Sequence, residues 1–194
     1  MTEIQIPTSH LSQRPKRADA RRNYDTLLAA ARETFAEDGT SASLEDIARR
    51  AGVGIGTLYR HFPTRHALLE AVYIDEVEAI SRSAADMSDL PPWDAFAGWL
   101  HKFVRYAAAK RALAEELLAY VEPGSEVFNR CGEAITAAGE PLLRRAQAAG
   151  VVRPDAEFMD VARMVSGISA IRTTDPEQID RILGLALDGL RYSA

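Results

Sequence analysis

The sequence predicts an all-α protein of about nine helices. Apolar residues recur at the three- and four-residue spacing of amphipathic helices along most of the 194 residues, and no convincing run alternates with the two-residue period of a strand. Glycines, prolines and capping residues separate the periodic segments. With 47% hydrophobic residues, the chain has an ordinary globular composition and can bury a sizeable core.

The N-terminal part is predicted as a flexible, basic and proline-interrupted arm over residues 1–18, followed by a first helix over residues 19–38. Gly39 ends this helix, because glycine adopts the left-handed conformation at little cost. The second helix begins after Ser43, whose side chain can accept a hydrogen bond from a free backbone N–H of the first turn.

The second and third helices are short, and a glycine-containing turn joins them within residues 43–62. Leu58 and Phe62 are four residues apart on the third helix, so both are expected to face the protein interior. The residues left on or near its outer side are Gly56, Thr57, Tyr59, Arg60 and His61. Hydroxyl, guanidinium and imidazole groups on a small rigid helix suit a DNA major groove. A helical hairpin of an unrelated bundle is the structural alternative.

Thr64 is expected to cap a long fourth helix that reaches about residue 86, and the proline-rich segment 87–92 marks the boundary to a second domain over residues 87–194. Five more helices are predicted there, with a break or kink at Pro141. Their ranges are 93–109, 111–121, 124–149, 155–172 and 176–192.

Charge is distributed unevenly along the chain. Residues 1–66 contain ten Lys and Arg against eight Asp and Glu, and the remainder contains thirteen against twenty, within a net charge of −5. A locally basic surface attracts a duplex while the acidic remainder is repelled from the phosphates, although an ordinary solvated surface is also compatible with this pattern. The arm residues Arg14, Lys16 and Arg17 either enter the minor groove or form a solvated tail.

Three motifs in this region resemble a known family. They are FAEDG at residues 35–39, SLEDIARRAGV at residues 43–53 and GTLYRHFPTR at residues 56–65. Over about residues 21–80 the chain resembles the DNA-binding domain of TetR-family transcriptional regulators. The resemblance implies a homodimer that binds a double-stranded DNA operator through one helix-turn-helix per subunit. It also implies a ligand-binding and dimerisation domain after residue 87, and usually repression that a small-molecule effector relieves.

The resemblance further implies roles for individual positions. Ser43 is expected to contact a phosphate; Thr57, Tyr59, His61 and Arg65 to grip the DNA backbone; and Gly56 and Arg60 to face the bases. Gly54 and Ile55 depart from the polar pair that many family members have at this place. Arg60 and the arm are therefore expected to contribute more of the specificity.

Apolar stripes on the last two helices are predicted to join two subunits about a two-fold axis. Some of these residues are expected to face their own domain instead. The candidate dimer-interface residues are Phe158, Val161, Val165, Ile168, Ile179, Ile182, Leu183, Ala186 and Leu190.

Aromatic residues of the C-terminal part suggest a pocket for a largely apolar ligand, with an ordinary hydrophobic core as the alternative. Trp99 and Tyr106 are the better candidates, because helical periodicity places them on the shoulder of the buried face. The candidate pocket residues are Trp99, Phe103, Tyr106, Tyr120, Phe128 and Met164.

Several classes of protein are not favoured. The four histidines are scattered, no nucleophile motif is present, and no Cys/His cluster has metal-ligand spacing, so neither an enzyme, a cofactor nor a metal is expected. The single Cys131 cannot form an intrachain disulfide, and its role is not assigned. No apolar run suggests a membrane span, so a cytoplasmic protein is expected. The alternative function is a helical dimeric interaction protein that a protein partner regulates, with weak or lost DNA binding.

Overall fold

The computed structural model describes residue 15, residues 17–118, residue 120, and residues 125–173 and 175–192. Most of the predicted arm, including Arg14 and Lys16, lies outside the described residues. The all-α fold is confirmed: the described residues form eight α-helices, and their only β-type pairing is an isolated bridge between Val152 and Arg191. The helices are α1 (Ala18–Asp38), α2 (Leu44–Arg50), α3 (Ile55–His61), α4 (Arg65–Ala85), α5 (Pro92–Leu117), α6 (Glu126–Ala148), α7 (Phe158–Ser169) and α8 (Pro176–Leu190).

Helix α5 corrects the predicted number of helices. The two helices expected over 93–109 and 111–121 form one continuous helix, Pro92–Leu117. The sequence around residues 107–112 contains only alanine, lysine and arginine, which are strong helix formers. No residue there can break the helix, so the chain continues through the expected junction.

Helices α6 and α7 differ from expectation for reasons that can be traced to single residues. Helix α6 continues through Pro141, which has no N–H to donate to the carbonyl of Ala137. Both residues are exposed, so water can donate a hydrogen bond to that carbonyl instead. Helix α7 starts at Phe158 rather than near 155. Before it, the Nε2 of Gln147 donates to the carbonyls of residues 153 and 156 and holds that segment in a loop.

Packing groups the described residues into two units. The first contains those within 1–76 and 109–129, and the second those within 77–108 and 130–194. Helix α4 therefore contributes residues 65–76 to the first unit and 77–85 to the second. Each unit is defined by contacts and combines two separate stretches of the chain. The predicted domain boundary near residue 87 stays a prediction.

In the first unit, α1 packs on α2 and α2 packs on α3. The core consists of buried apolar residues from α1 to α4 and from the end of α5. These include Leu27, Leu28, Phe35, Ile47, Leu58, Phe62, Leu68, Leu69, Val72 and Leu117.

The second unit is built around buried aromatic rings. The Trp99 and Phe103 rings stack with their centroids 5.2 Å apart, and the centroid of the Phe158 ring lies 6.0 Å from that of Trp99. Gly139 on α6 allows this close packing, because a Cβ at that position would approach Phe158 to 2.3 Å and Trp99 to 2.7 Å. The rings fill the space between α5, α6 and α7.

Candidate nucleic-acid interface

Local hydrogen bonds fix α2 and the turn that follows it. The Ser43 Oγ accepts a hydrogen bond from the backbone N–H of Asp46 at 3.0 Å, as the capping pattern predicts. Gly52 has a φ of 68°, a left-handed conformation that favours glycine. The backbone N–H of Val53 donates a hydrogen bond to the carbonyl of Ala48 at 3.0 Å. The turn therefore ends α2 and leads into α3 within a few residues.

Helix α3 is held in place by two apolar side chains. Leu58 and Phe62 are both fully buried, and the Phe62 ring lies 5.0 Å from that of Tyr24 on α1. A seven-residue helix is marginal in isolation, so this packing is what stabilises it. The predicted inward orientation of both residues is confirmed.

The outer side of α3 presents a cation to solvent. Gly56, Tyr59 and Arg60 are exposed, while Thr57 and His61 are half-buried. The Arg60 Nη2 donates to the Thr57 Oγ1 at 3.1 Å, one helical turn away, and this bond orients the guanidinium. Arg60 has no acidic partner among the described residues, so its charge is available to a ligand.

His61 lies at the edge of this face, with its ring centroid 6.0 Å from that of Tyr24. Partial burial, and then the positive charge of Arg60, lower the pKa of His61 below its ordinary value. The imidazole is therefore neutral at neutral pH, with one donor and one acceptor nitrogen.

Two neighbouring arginines differ from Arg60, because carboxylates already neutralise them. Arg49 pairs with Asp46, and Arg50 pairs with Glu37 at 2.6 Å. The hydrogen bond from Arg50 lowers the pKa of Glu37, which therefore remains ionised at neutral pH. Of these three arginines, only Arg60 has no carboxylate partner among the described residues.

Ser43 keeps one hydrogen-bonding capacity beyond its capping role. Its oxygen accepts from Asp46, but its own O–H remains able to donate. This arrangement is compatible with the phosphate contact that the sequence resemblance implies.

Arg65 has internal partners. Its Nε donates to the Glu116 Oε1 at 2.7 Å, its Nη1 donates to the carbonyl of Ala42, and its guanidinium lies 5.1 Å from the centroid of the Phe35 ring. Glu116 is buried and lies 51 residues further along the chain. These contacts hold the guanidinium beside the start of α2, and the backbone contact expected of Arg65 stays a prediction.

Replacing Glu116 by alanine should lower the free energy of unfolding by roughly 2 kcal/mol, because Arg65 would lose its partner in a largely buried place. Urea unfolding measures this loss. The matched control is Glu78→Ala, which removes one carboxylate from a more exposed pair with Arg82, 3.1 Å apart, and should cost about 0.5 kcal/mol or less. Equal losses in the two variants would contradict a stabilising role for the Arg65–Glu116 pair.

Sequence reasoning missed Glu116 altogether. A signal existed, since Glu116 falls on the same helical face as the apolar Leu113 and next to Leu117, and a charge on an apolar face needs a partner. The partner could not be identified from the sequence, because it comes from a distant helix.

The six candidate pocket residues are divided between the two units, and their common pocket stays a prediction. Tyr120 and Phe128 belong to the first unit, and Trp99, Phe103, Tyr106 and Met164 belong to the second. Trp99 and Tyr106 are buried rather than on a shoulder of α5, because their rings stack in succession with Phe103. The Trp99 Nε1 donates to the carbonyl of Ile80 at 3.2 Å, so its polar group is used within the core.

The nine candidate dimer-interface residues also separate into two sets. Six are buried in their own unit: Phe158, Val161, Val165, Ile168, Leu183 and Leu190. Ile179, Ile182 and Ala186 on α8 are half-buried. Leu185, which the sequence stripe omitted, is 74% exposed on the same helix.

Other kinds of site find no support in the described part of the chain. No group of three or more His, Cys, Asp or Glu side chains there is arranged to hold a metal ion. Across the same residues, no helix combines the length and hydropathy that crossing a membrane requires.

Family models match both parts of the chain. The model described as bacterial regulatory proteins, tetR family, matches residues 27–72, and the model described as transcriptional regulator SbtR-like, C-terminal domain, matches residues 91–192. Among curated relatives, the regulator UidR from Escherichia coli (strain K12) is 28% identical over 144 residues, which cover 72% of this chain and 74% of UidR. The regulator SAR0097 from Staphylococcus aureus (strain MRSA252) is 38% identical over 69 residues, only 34% of this chain and 36% of that relative.

Solved structures agree with these matches. The TetR transcriptional regulator SCO0520 from Streptomyces coelicolor is 42% identical with a TM-score of 0.78, and the match covers 88% of this chain and 99% of that one. A TetR transcription regulatory protein from Mycobacterium vanbaalenii is 35% identical with a TM-score of 0.74, covering 91% and 99%. The family consists of transcriptional regulators rather than enzymes. The chain therefore belongs to the TetR family and is a DNA-binding transcriptional regulator.

Proposed function

We propose that this regulator is a repressor, that it binds a palindromic operator as a homodimer, and that a small, largely apolar ligand releases it. The observation that supports this most directly is the exposed face of α3. That face combines Arg60, a cation with no acidic partner in the described part of the chain, with a hydroxyl and a neutral imidazole. The helix is anchored from behind by Leu58 and Phe62. This combination suits simultaneous contact with phosphates and base edges.

Roles within the DNA interface follow from position and chemistry. Arg60 is exposed on the outer side of α3 and is proposed to donate hydrogen bonds to a base edge. Guanine is the base that arginine contacts most often. The proposed backbone contacts, which orient the helix, are Ser43, Thr57, Tyr59 and His61. Gly56 is proposed to let the helix backbone approach the duplex closely.

The proposed dimer surface is the outer side of α8. It contains the half-buried Ile179, Ile182 and Ala186 and the exposed Leu185. An exposed leucine beside half-exposed apolar neighbours is better explained by a partner than by solvent. A two-fold pairing through this surface would present α3 twice, which a palindrome requires.

The effector is proposed to bind the second unit beside the stacked rings of Phe103 and Tyr106 and the half-buried Met164. Aromatic and thioether groups suit a largely apolar ligand. Thermal unfolding of the protein with a panel of apolar compounds, followed by operator release with each stabilising compound, tests this part of the proposal. Stabilisation without operator release would contradict an inducer role.

Selection of bound fragments from genomic DNA by the purified protein tests the proposed function as a whole. An enriched palindrome, with affinity that falls as salt rises, is expected. No enriched sequence, together with affinity that is insensitive to salt, would favour a regulator that acts through a protein partner.

Replacing Gly56 by alanine should weaken operator binding by about tenfold or more without destabilising the protein. An added Cβ meets no atom within 4 Å inside the subunit, and alanine in a helix is about 0.5–1 kcal/mol more favourable than glycine. The same methyl would stand between α3 and the duplex. Thermal unfolding and operator affinity measure the two opposite effects.

Gly132→Ala is the matched control for this variant, because Gly132 is an exposed glycine of α6 whose added Cβ also meets nothing within 4 Å. It should gain similar stability and retain its affinity. Unchanged affinity in Gly56→Ala would remove the first turn of α3 from the proposed interface.

A further inference from the structure

Two side chains with large apolar parts are exposed on α3, the helix that the proposed function places against the operator. Ile55 is 37% exposed and Tyr59 is 45% exposed. They are four residues apart on α3, so they lie about 40° from each other around the helix axis. Thr57 and His61 lie on the opposite flank, with Arg60 between the two sides. Helix α3 therefore has an apolar flank and a polar flank.

The residues that anchor α3 most firmly in the subunit lie outside this apolar flank. Leu58 and Phe62 are fully buried and supply that anchorage. The glycines on both sides of Ile55 are also free of packing constraints, because an added Cβ at Gly54 or Gly56 meets no atom within 4 Å. Ile55 is consequently the only residue with a side chain within residues 54–56, and neither neighbouring glycine limits close approach of a duplex.

The chemistry of the major groove indicates what this flank can contact. Base edges there present hydrogen-bond donors and acceptors, and the 5-methyl group of thymine is their one apolar feature. An exposed isoleucine has no group that can hydrogen-bond to a base. Arg60, about one turn further along, places the same helix in an electrostatic environment that favours DNA.

We infer that Ile55 is a specificity-determining residue that selects thymine through its 5-methyl group, with the Tyr59 ring closing the apolar flank behind it. This inference rests on the proposed placement of α3 in the major groove and adds the base class that each half-site must contain. Removing one methyl contact should weaken binding about threefold to fourfold per half-site, and about tenfold for a symmetric operator.

The test uses the 194-residue chain and the operator obtained by selection. Each thymine is replaced by deoxyuridine, which lacks only the methyl group, at symmetric positions in both half-sites. The affinity of each duplex is measured for the unsubstituted protein, Ile55→Ala, Ile55→Val and the control Ile171→Ala. Ile171 is a similarly exposed isoleucine, with 40% of its surface accessible, and it lies in the second unit, whereas α3 lies in the first.

One symmetric position should show a uracil penalty of about tenfold with the unsubstituted protein and with Ile171→Ala. The penalty should disappear in Ile55→Ala and persist in part in Ile55→Val. A penalty that is the same in Ile55→Ala and the unsubstituted protein, or an operator with no uracil-sensitive position, would overturn the inference alone. Failure to enrich any operator would overturn it together with the proposed function.

Discussion

Replacing Leu185 by aspartate should convert the proposed dimer into a monomer and lower operator affinity by about 100-fold or more. The Leu185 side chain is 74% exposed on α8, so the substitution leaves the subunit core intact. In the proposed dimer, however, it places two carboxylates, one from each subunit, in an apolar contact, which is costly without partners. A monomer binds only one half-site and loses the gain that linkage of two sites provides.

Sedimentation of the free protein and titration of the operator measure the two effects. Leu90→Asp is the matched control, because Leu90 is a 41% exposed leucine in the connection between α4 and α5. It should remain dimeric and bind normally. A dimeric Leu185→Asp protein with normal affinity would exclude this part of α8 from the subunit interface.

Replacing Arg60 by alanine should lower affinity for the selected operator by about 1–3 kcal/mol per half-site and relax the preference at one symmetric base position. The guanidinium is exposed, oriented by Thr57 and without an acidic partner among the residues that the structure describes. Its loss removes a directional donor rather than a packing contact. The effect should therefore be much larger on the operator than on unrelated DNA.

Selection experiments with both proteins, at one fixed salt concentration, measure the change in base preference. Arg82→Ala removes one positive charge from an exposed pair on α4 and serves as the charge control. It should leave the selected sequence unchanged. An Arg60→Ala protein that selects the original operator, with all affinities reduced equally, would make Arg60 a phosphate contact instead of a base contact.

The elements most accurately predicted from sequence are those that local chemistry determines. The caps at Ser43 and Thr64 and the positive φ of Gly39 depend on residues within one turn, so the sequence contains the necessary information. The single helix α5 was missed for the complementary reason. Nothing local stops that helix, and the predicted junction had no breaker.

Tertiary contacts explain what could not be predicted. Helical periodicity placed Leu183 and Leu190 on an apolar stripe of α8. The structure shows that both are buried in their own unit, whereas Leu185 is exposed to solvent. Likewise, Arg65 matches a family position by its place in a motif, yet its contacts come from Glu116, 51 residues away. Sequence spacing indicates which residues share a face, and not which neighbour covers that face.

The number of chains bound to one operator duplex tests the central claim most directly. Sedimentation of a saturated complex of the 194-residue chain and the selected operator gives this number. The account predicts two chains per duplex, because each α3 contacts one half-site of a palindrome and the half-sites lie about 34–36 Å, or a multiple of that distance, apart. One chain per duplex at saturation would contradict it.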